Sequence, residues 1–233
     1  MPDSSDGADR VLRMADSTRT AKINLRVELL ARRRAMPASQ RARAADQLQA
    51  ALTDLVRRLR PARVAAYVPV GSEPGGPDLP EVLRAALAPA GVLLLPVLRA
   101  DLDLDWAAYT GPDGLSVPPD SSPAASSSPP ARPGRGLREP TGPRLGPEAI
   151  GEAELVIVPA LAVDRRGFRL GRGGGSYDRA LVRVGAGVPT VALLHDGELV
   201  DAVPAEPHDR RVTAVITPTL GFAQLDGGTA TPA

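Results

Sequence analysis

The chain has 233 residues, 43% of them hydrophobic, enough to bury a sizeable core as one large domain. Lysine and arginine number 28 against 27 aspartate and glutamate, so no broad basic surface for nucleic acid or membrane is implied, and any anion site must be local. With no cysteine and two histidines the chain offers neither disulfides, thiol nucleophiles nor a histidine-built metal cage; with no signal-like or membrane-length apolar run it is expected in the cytoplasm.

In chain order, residues 1–17 are polar and unpatterned, and a flexible tail is expected there. Apolar spacing predicts a helix over residues 18–36, with Ala21, Leu25 and Leu29 on one stripe, Lys22 and Arg26 one turn apart on another, and Pro37 ending it. Ser39 is placed as the cap of a second helix, in which Leu48, Leu52, Leu55, Val56 and Leu59 keep the spacing of a buried face up to Pro61. Strand-length runs then alternate with helical patterns: RVAAYVPV, a helix carrying Leu79, Leu83 and Ala86, GVLLLPV, and later LVIVP, PTVALL and VTAVIT. Near-continuous apolar strands between amphipathic helices mean a sheet covered on both faces. The fold class is α/β: a three-layer α/β/α sandwich with a largely parallel sheet, Rossmann-like. Residues 117–134, VPPDSSPAASSSPPARPG, hold six prolines and five serines and are expected to be a disordered insert within a single domain of residues 18–221. Residues 222–233 are expected to be a second loose tail.

The stretch RLGRGGGSYDRAL, residues 169–181, stands apart: four of the five positions from 171 to 175 are glycine, with Arg169 and Arg172 beside them. Such a run forfeits backbone entropy and packing, so it suits a place where the backbone takes unusual torsions or comes very close to something. It is not GxxxxGK[ST], because no lysine follows the glycines; GxGxxG fails where Ser176 stands, and GxSxG fails because Tyr177 and Asp178 follow Ser176. Its chemistry still points at phosphate: converging N–H groups, arginine charge and a helix beginning near Tyr177. Asp178 fits a phosphate loop if magnesium lies between it and the oxygens. The plainer reading is a glycine-rich connection with Asp178 capping the next helix.

RLGRGGGSYDR, preceded by LVIVPALAVDRRG and followed by PAEPHDRRVTAVIT, resembles the 5-formyltetrahydrofolate cyclo-ligases, also called 5,10-methenyltetrahydrofolate synthetases. The likeness extends upstream through GLREP, LLLPVL and YVPVGSE to the basic helix with Lys22 and Arg26, collinear over residues 21–218. It implies an ATP- and magnesium-dependent ligase that closes 5-formyltetrahydrofolate to 5,10-methenyltetrahydrofolate through a phosphorylated imidate, releasing ADP and phosphate. It places the ATP phosphates on Arg169, Leu170, Gly171, Arg172, Gly173, Gly174, Gly175, Ser176 and Tyr177, with Lys22 and Arg26 reaching in from the first helix. It makes Asp178 the magnesium ligand and Glu73 the acid that accepts hydrogen bonds from the pterin ring, beside an apolar wall of Tyr67 and Val68. Arg172 and Ser176 also belong to the folate side, and Arg172 and Tyr177 carry the catalytic roles.

Two positions depart from the family pattern. Ser176 stands where a second tyrosine is usual, and Thr213 stands where an acid often completes the metal site; Asp209 is a nearby substitute. Gly174 replaces a lysine found in some members, and His195 and His208 are expected to be structural or surface residues. A non-catalytic folate- or nucleotide-binding relative is the alternative, with Ser176 and Thr213 as signs of decay. A sugar-phosphate isomerase or CoA-transferase relative is a third reading, though no acid placed for thioester formation stands out. The expected partners are small molecules alone, with no nucleic acid and no membrane, and the chain is expected to be a monomer.

Overall fold

A computed structural model describes residues 4–117 and 137–226. The first helix, α1, spans Ser4–Ala35, so it begins well ahead of residue 18 and takes in most of the expected tail. Once the later turns exist, the preceding Ala-, Arg- and Leu-containing residues need only propagate them, which costs far less than nucleation. α2 is Ala38–Leu59, with Pro37 at its cap position; the extended Pro37 backbone (ψ 147°) supplies the entry, and Ser39 lies inside the first turn and does not cap it.

The remaining elements are β1 (Arg63–Ala65), α3 (Leu79–Ala86), β2 (Val92–Leu98), β3 (Leu104–Ala108), β4 (Leu115–Ser116), β5 (Glu139–Pro140), β6 (Leu155–Pro159), β7 (Ala162–Asp164), β8 (Arg169–Leu170), α4 (Ser176–Leu181), β9 (Thr190–Leu193), β10 (Leu199–Val200), β11 (Ala214–Thr217) and β12 (Gly221–Gln224). Seven strands form the main sheet in the order β12, β11, β9, β6, β1, β2, β3. Its five central strands are parallel, and the two edges, β12 and β3, are antiparallel. β10, β7 and β8 make a small second sheet, and β4 pairs with β5. The Pro/Ser-rich insert lies, apart from Val117, outside the described residues.

The apolar strand runs serve both faces because successive side chains point opposite ways. Leu93, Leu95, Leu155 and Ile157 pack under Leu48 and Leu52 of α2 and Leu79 and Leu83 of α3. Leu94, Val156 and Val158 face the other way, against Trp106, Ile150 and the α4 residues Ala180 and Leu181. These are the expected three layers. α1 lies on the small sheet, where Leu29 packs against Leu161, Ala162, Leu170 and Val203.

The expected C-terminal tail is corrected over its first residues. Gly221–Gln224 pairs antiparallel with β11, and Leu225 is buried in the second core cluster. An edge strand has one wet face, so its polar and glycine content hid it; Phe222 lies on that face under the Arg58 guanidinium. Leu225→Ala should therefore lower stability by about 2–4 kcal/mol in denaturant unfolding. A change near zero would return these residues to a loose tail.

Candidate functional site

From β1 the main sheet grows through β2 to one side and through β6, β9 and β11 to the other. Parallel strands whose connections diverge leave a crevice outside their carboxyl ends. Here Val68 and Glu73 follow β1, Pro159 ends β6 and Leu161 follows it, and together they line a cavity of about 460 Å³. Every residue expected at the site lines it: Lys22, Arg26, Val68, Glu73 and the whole run from Arg169 to Asp178. Arg33, Arg138, Glu206, His208 and Asp209 line it too, with Pro96, Leu98, Leu104 and Leu137 as apolar wall.

The glycine loop leaves β8 and ends at α4. Two of its glycines are needed for their torsions, Gly173 at φ 108° and Gly175 at φ 67°. Gly173 also lies under α1: a side chain there would begin 3.6 Å from the Arg26 guanidinium carbon. Arg26 Nε donates to the Gly171 carbonyl at 2.9 Å, so this base does reach across from α1 to the loop. α4 has only six residues, so it contributes the N–H groups of its first turn more than a long macrodipole.

Lys22, Arg26, Arg169 and Arg172 each have a specific partner. Lys22 is 6% exposed and donates to Glu206 Oε2 at 2.6 Å and Asp209 Oδ2 at 2.7 Å. Burial works to lower its pKa, but the two carboxylates outweigh burial and hold it above the ordinary lysine value. Arg169, also buried, donates to the Arg210 carbonyl and pairs with Asp178 Oδ1 at 3.1 Å. Burial lowers its pKa, with Asp178 opposing. Asp178 Oδ1 further accepts from the Arg210 N–H, leaving Oδ2 without a partner among the described residues. A hard carboxylate oxygen at the edge of a phosphate-sized loop suits magnesium. Glu206, His208 and Asp209 also present donor atoms within 4.8 Å of one another, although Lys22 already occupies both carboxylates.

On the opposite wall Glu73 closes its own turn, accepting from the Val70 N–H at 2.9 Å, and Arg172 Nε sits 3.0 Å from its Oε1. The loop arginine and the β1 acid, about a hundred residues apart in the chain, therefore meet inside the cavity. The Tyr67 hydroxyl is committed to the Pro74 carbonyl. Among the described residues the buried Tyr177 hydroxyl has no partner, and burial, aided by the Glu73 charge, pushes its pKa far above the ordinary phenol value. As a neutral phenol it has a hydrogen bond to donate. Ser176 opens α4 and faces the cavity. Thr213 does not line it: its hydroxyl donates to the Thr190 carbonyl and accepts from the Thr190 N–H.

Sequence reasoning missed Arg33, Glu206 and Arg138. For Arg33 a signal existed, since residues 22, 26 and 33 fall on one helical stripe. Glu206 and Arg138 lie in irregular segments without periodicity, and only the family-like blocks PAEPHD and GLREP that hold them marked their neighbourhood.

The profile of the 5-formyltetrahydrofolate cyclo-ligase family matches residues 18–218. A 5-formyltetrahydrofolate cyclo-ligase of Mycolicibacterium smegmatis is 42% identical over 210 residues, covering 88% of this chain and 97% of that protein. The solution structure of the Aquifex aeolicus 5,10-methenyltetrahydrofolate synthetase superposes with a TM-score of 0.67 at 26% identity, covering 91% of this chain and 96% of that one. The Mycoplasma pneumoniae 5,10-methenyltetrahydrofolate synthetase shares the fold, with a TM-score of 0.61 at 16% identity over 84% of this chain and 98% of its own.

The Lys22 cluster gives a pH-dependent consequence. The hydrogen bond from Lys22 holds Glu206 below the ordinary carboxylate value of 4.5. A depressed carboxylate contributes stability above its unfolded pKa and loses it as pH falls through the folded one. Glu206→Gln should therefore melt about 1–3 °C below the parent at pH 7, and the gap should close as pH drops below 4.5. Melting curves at both pH values check this; a gap that persists in acid would contradict it.

Proposed function

The chain belongs to the 5-formyltetrahydrofolate cyclo-ligase family, and we propose that this cavity closes 5-formyltetrahydrofolate to 5,10-methenyltetrahydrofolate at the expense of ATP. The observation that carries the reading is the Arg172–Glu73 contact, which joins a cation-rich glycine loop to a part-buried acid in one cavity.

In this reading the formyl oxygen attacks the γ-phosphorus of ATP and ADP leaves, which turns a poor leaving oxygen into part of a phosphate. The folate's second reactive nitrogen then attacks the activated carbon and loses its proton. Phosphate departs with the former formyl oxygen, and the five-membered ring is closed. No residue need act as nucleophile; the protein positions two substrates and stabilises charge.

Lys22, Arg26 and Arg172, with the N–H groups around Gly173 and Gly175, bind and orient the phosphates. Asp178 would hold magnesium through Oδ2, where the ion would offset phosphate charge. Glu73 accepts hydrogen bonds from the pterin N–H groups, beside Val68. The buried Tyr177 hydroxyl, without a partner among the described residues, donates to an oxygen of the reacting group. Ser176 leaves open the space that a second tyrosine fills in other family members. The enzyme works on small molecules as a monomer in the cytoplasm. Among the described residues no helix is long and apolar enough to cross a membrane.

With ATP, magnesium and 5-formyltetrahydrofolate, the purified chain should form the methenyl chromophore and ADP in equal amounts; product without ATP consumption would sink the mechanism. In the same preparation Gly173→Val forces a β-branched residue to φ 108° beside Arg26. ATP affinity should fall at least tenfold, on the order of 1.4 kcal/mol, while folate affinity stays within about twofold. Unchanged ATP binding would place the phosphates elsewhere.

A further inference from the structure

Behind the cavity a chain of buried polar contacts runs from α1 to the loop that carries Glu73. Arg33, 2% exposed, donates to both carboxylate oxygens of Glu198, at 2.6 and 2.7 Å. Glu198, 5% exposed, also accepts from the His195 N–H at 2.7 Å, and its own N–H returns to the His195 carbonyl. The turn after β9 is thereby fixed, and with it the imidazole. His195 Nε2 lies 3.1 Å from the Ser72 carbonyl oxygen, while Nδ1 is buried with no partner among the described residues.

These contacts settle the ring's state. A carbonyl oxygen only accepts, so Nε2 carries the proton; Nδ1, with no acceptor in reach, is the bare nitrogen. A second proton would create a buried donor with nothing to meet, close to Arg33. Burial accordingly lowers the His195 pKa, and the ring is a neutral donor at pH 7.

Ser72 immediately precedes Glu73. The Glu73 turn is closed at one end by its own bonds, from the Glu73 N–H to the Val70 carbonyl and from the Val70 N–H to Glu73 Oε2. Among the described residues the Ser72 carbonyl has no partner other than His195. We propose that His195 is a positioning residue for substrate recognition: through the Ser72 carbonyl it orients the turn that presents the Glu73 carboxylate to the folate. The link to the folate rests on the proposed role of Glu73. The orientation of the turn does not.

Two substitutions separate positioning from packing. His195→Phe keeps a flat ring, somewhat larger, and removes the donor; His195→Gln keeps an amide donor at similar reach. Hydrogen exchange at the Val70 and Glu73 amides of the ligand-free chain, and separate titrations with 5-formyltetrahydrofolate and ATP, are the measurements. In His195→Phe both amides should exchange about tenfold faster and folate should bind about three- to tenfold more weakly, with ATP affinity within twofold. His195→Gln should stay within about twofold of the parent throughout. Equal behaviour of the two variants, or unchanged exchange in His195→Phe, would overturn the proposal. A parent chain that binds no folate would defeat the cyclo-ligase reading instead, and the exchange comparison would still decide whether His195 orients the turn.

Discussion

A cation withdrawn from water needs an acid beside it, and that requirement sets the layout of this molecule. Lys22, Arg33 and Arg169 are 6%, 2% and 7% exposed, and each has its own carboxylate: Glu206 with Asp209, Glu198, and Asp178. The Lys22 bonds span 184 and 187 residues of chain and the Arg33 bond 165, so these pairs also dock α1 on the body. The total charge of +1 conceals this arrangement, because the positive groups gather around one cavity with their acids already in place.

The sheet supplies the frame for that cluster. Diverging connections at β1 and β6 open the crevice, the loops after their carboxyl ends bring in Glu73 and Leu161, and the β7–β8 hairpin delivers the glycine loop. The Glu73–Arg172 contact differs from the buried pairs, because the Arg172 side chain is 51% exposed while that of Glu73 is 11% exposed. A half-exposed arginine is held weakly and can be drawn to a better anion. In the proposed reaction, phosphates bound on the glycine loop would be such an anion, and an Arg172 drawn towards them would leave the Glu73 carboxylate to the pterin.

Much of the fold was legible because its signals are local. Leu93, Leu94 and Leu95 read as one apolar run, and the structure sends Leu94 to one face and its neighbours to the other, as a sheet covered on both sides requires. The strands of the small sheet are two or three residues long, too short for any periodicity to register. The start of α1 was missed because it continues a helix without an apolar stripe of its own. The expected site residues came from the glycine loop and the family likeness, and they line one cavity. Glu206 and Glu198 sit in turns, and their meaning depends on lysine and arginine partners far away in sequence. The Thr213 hydroxyl bonds Thr190 across neighbouring strands, a pairing that depends on strand register and that the sequence did not show.

The central claim is that both substrates occupy one cavity and share Arg172. It is tested most directly by titrating 5-formyltetrahydrofolate into the chain with and without a saturating non-hydrolysable ATP analogue and magnesium. The account predicts a several-fold tighter folate complex when the analogue is bound, because Glu73 is then released, with the same factor recovered in the reverse titration. Equal folate affinity in the two titrations would contradict it.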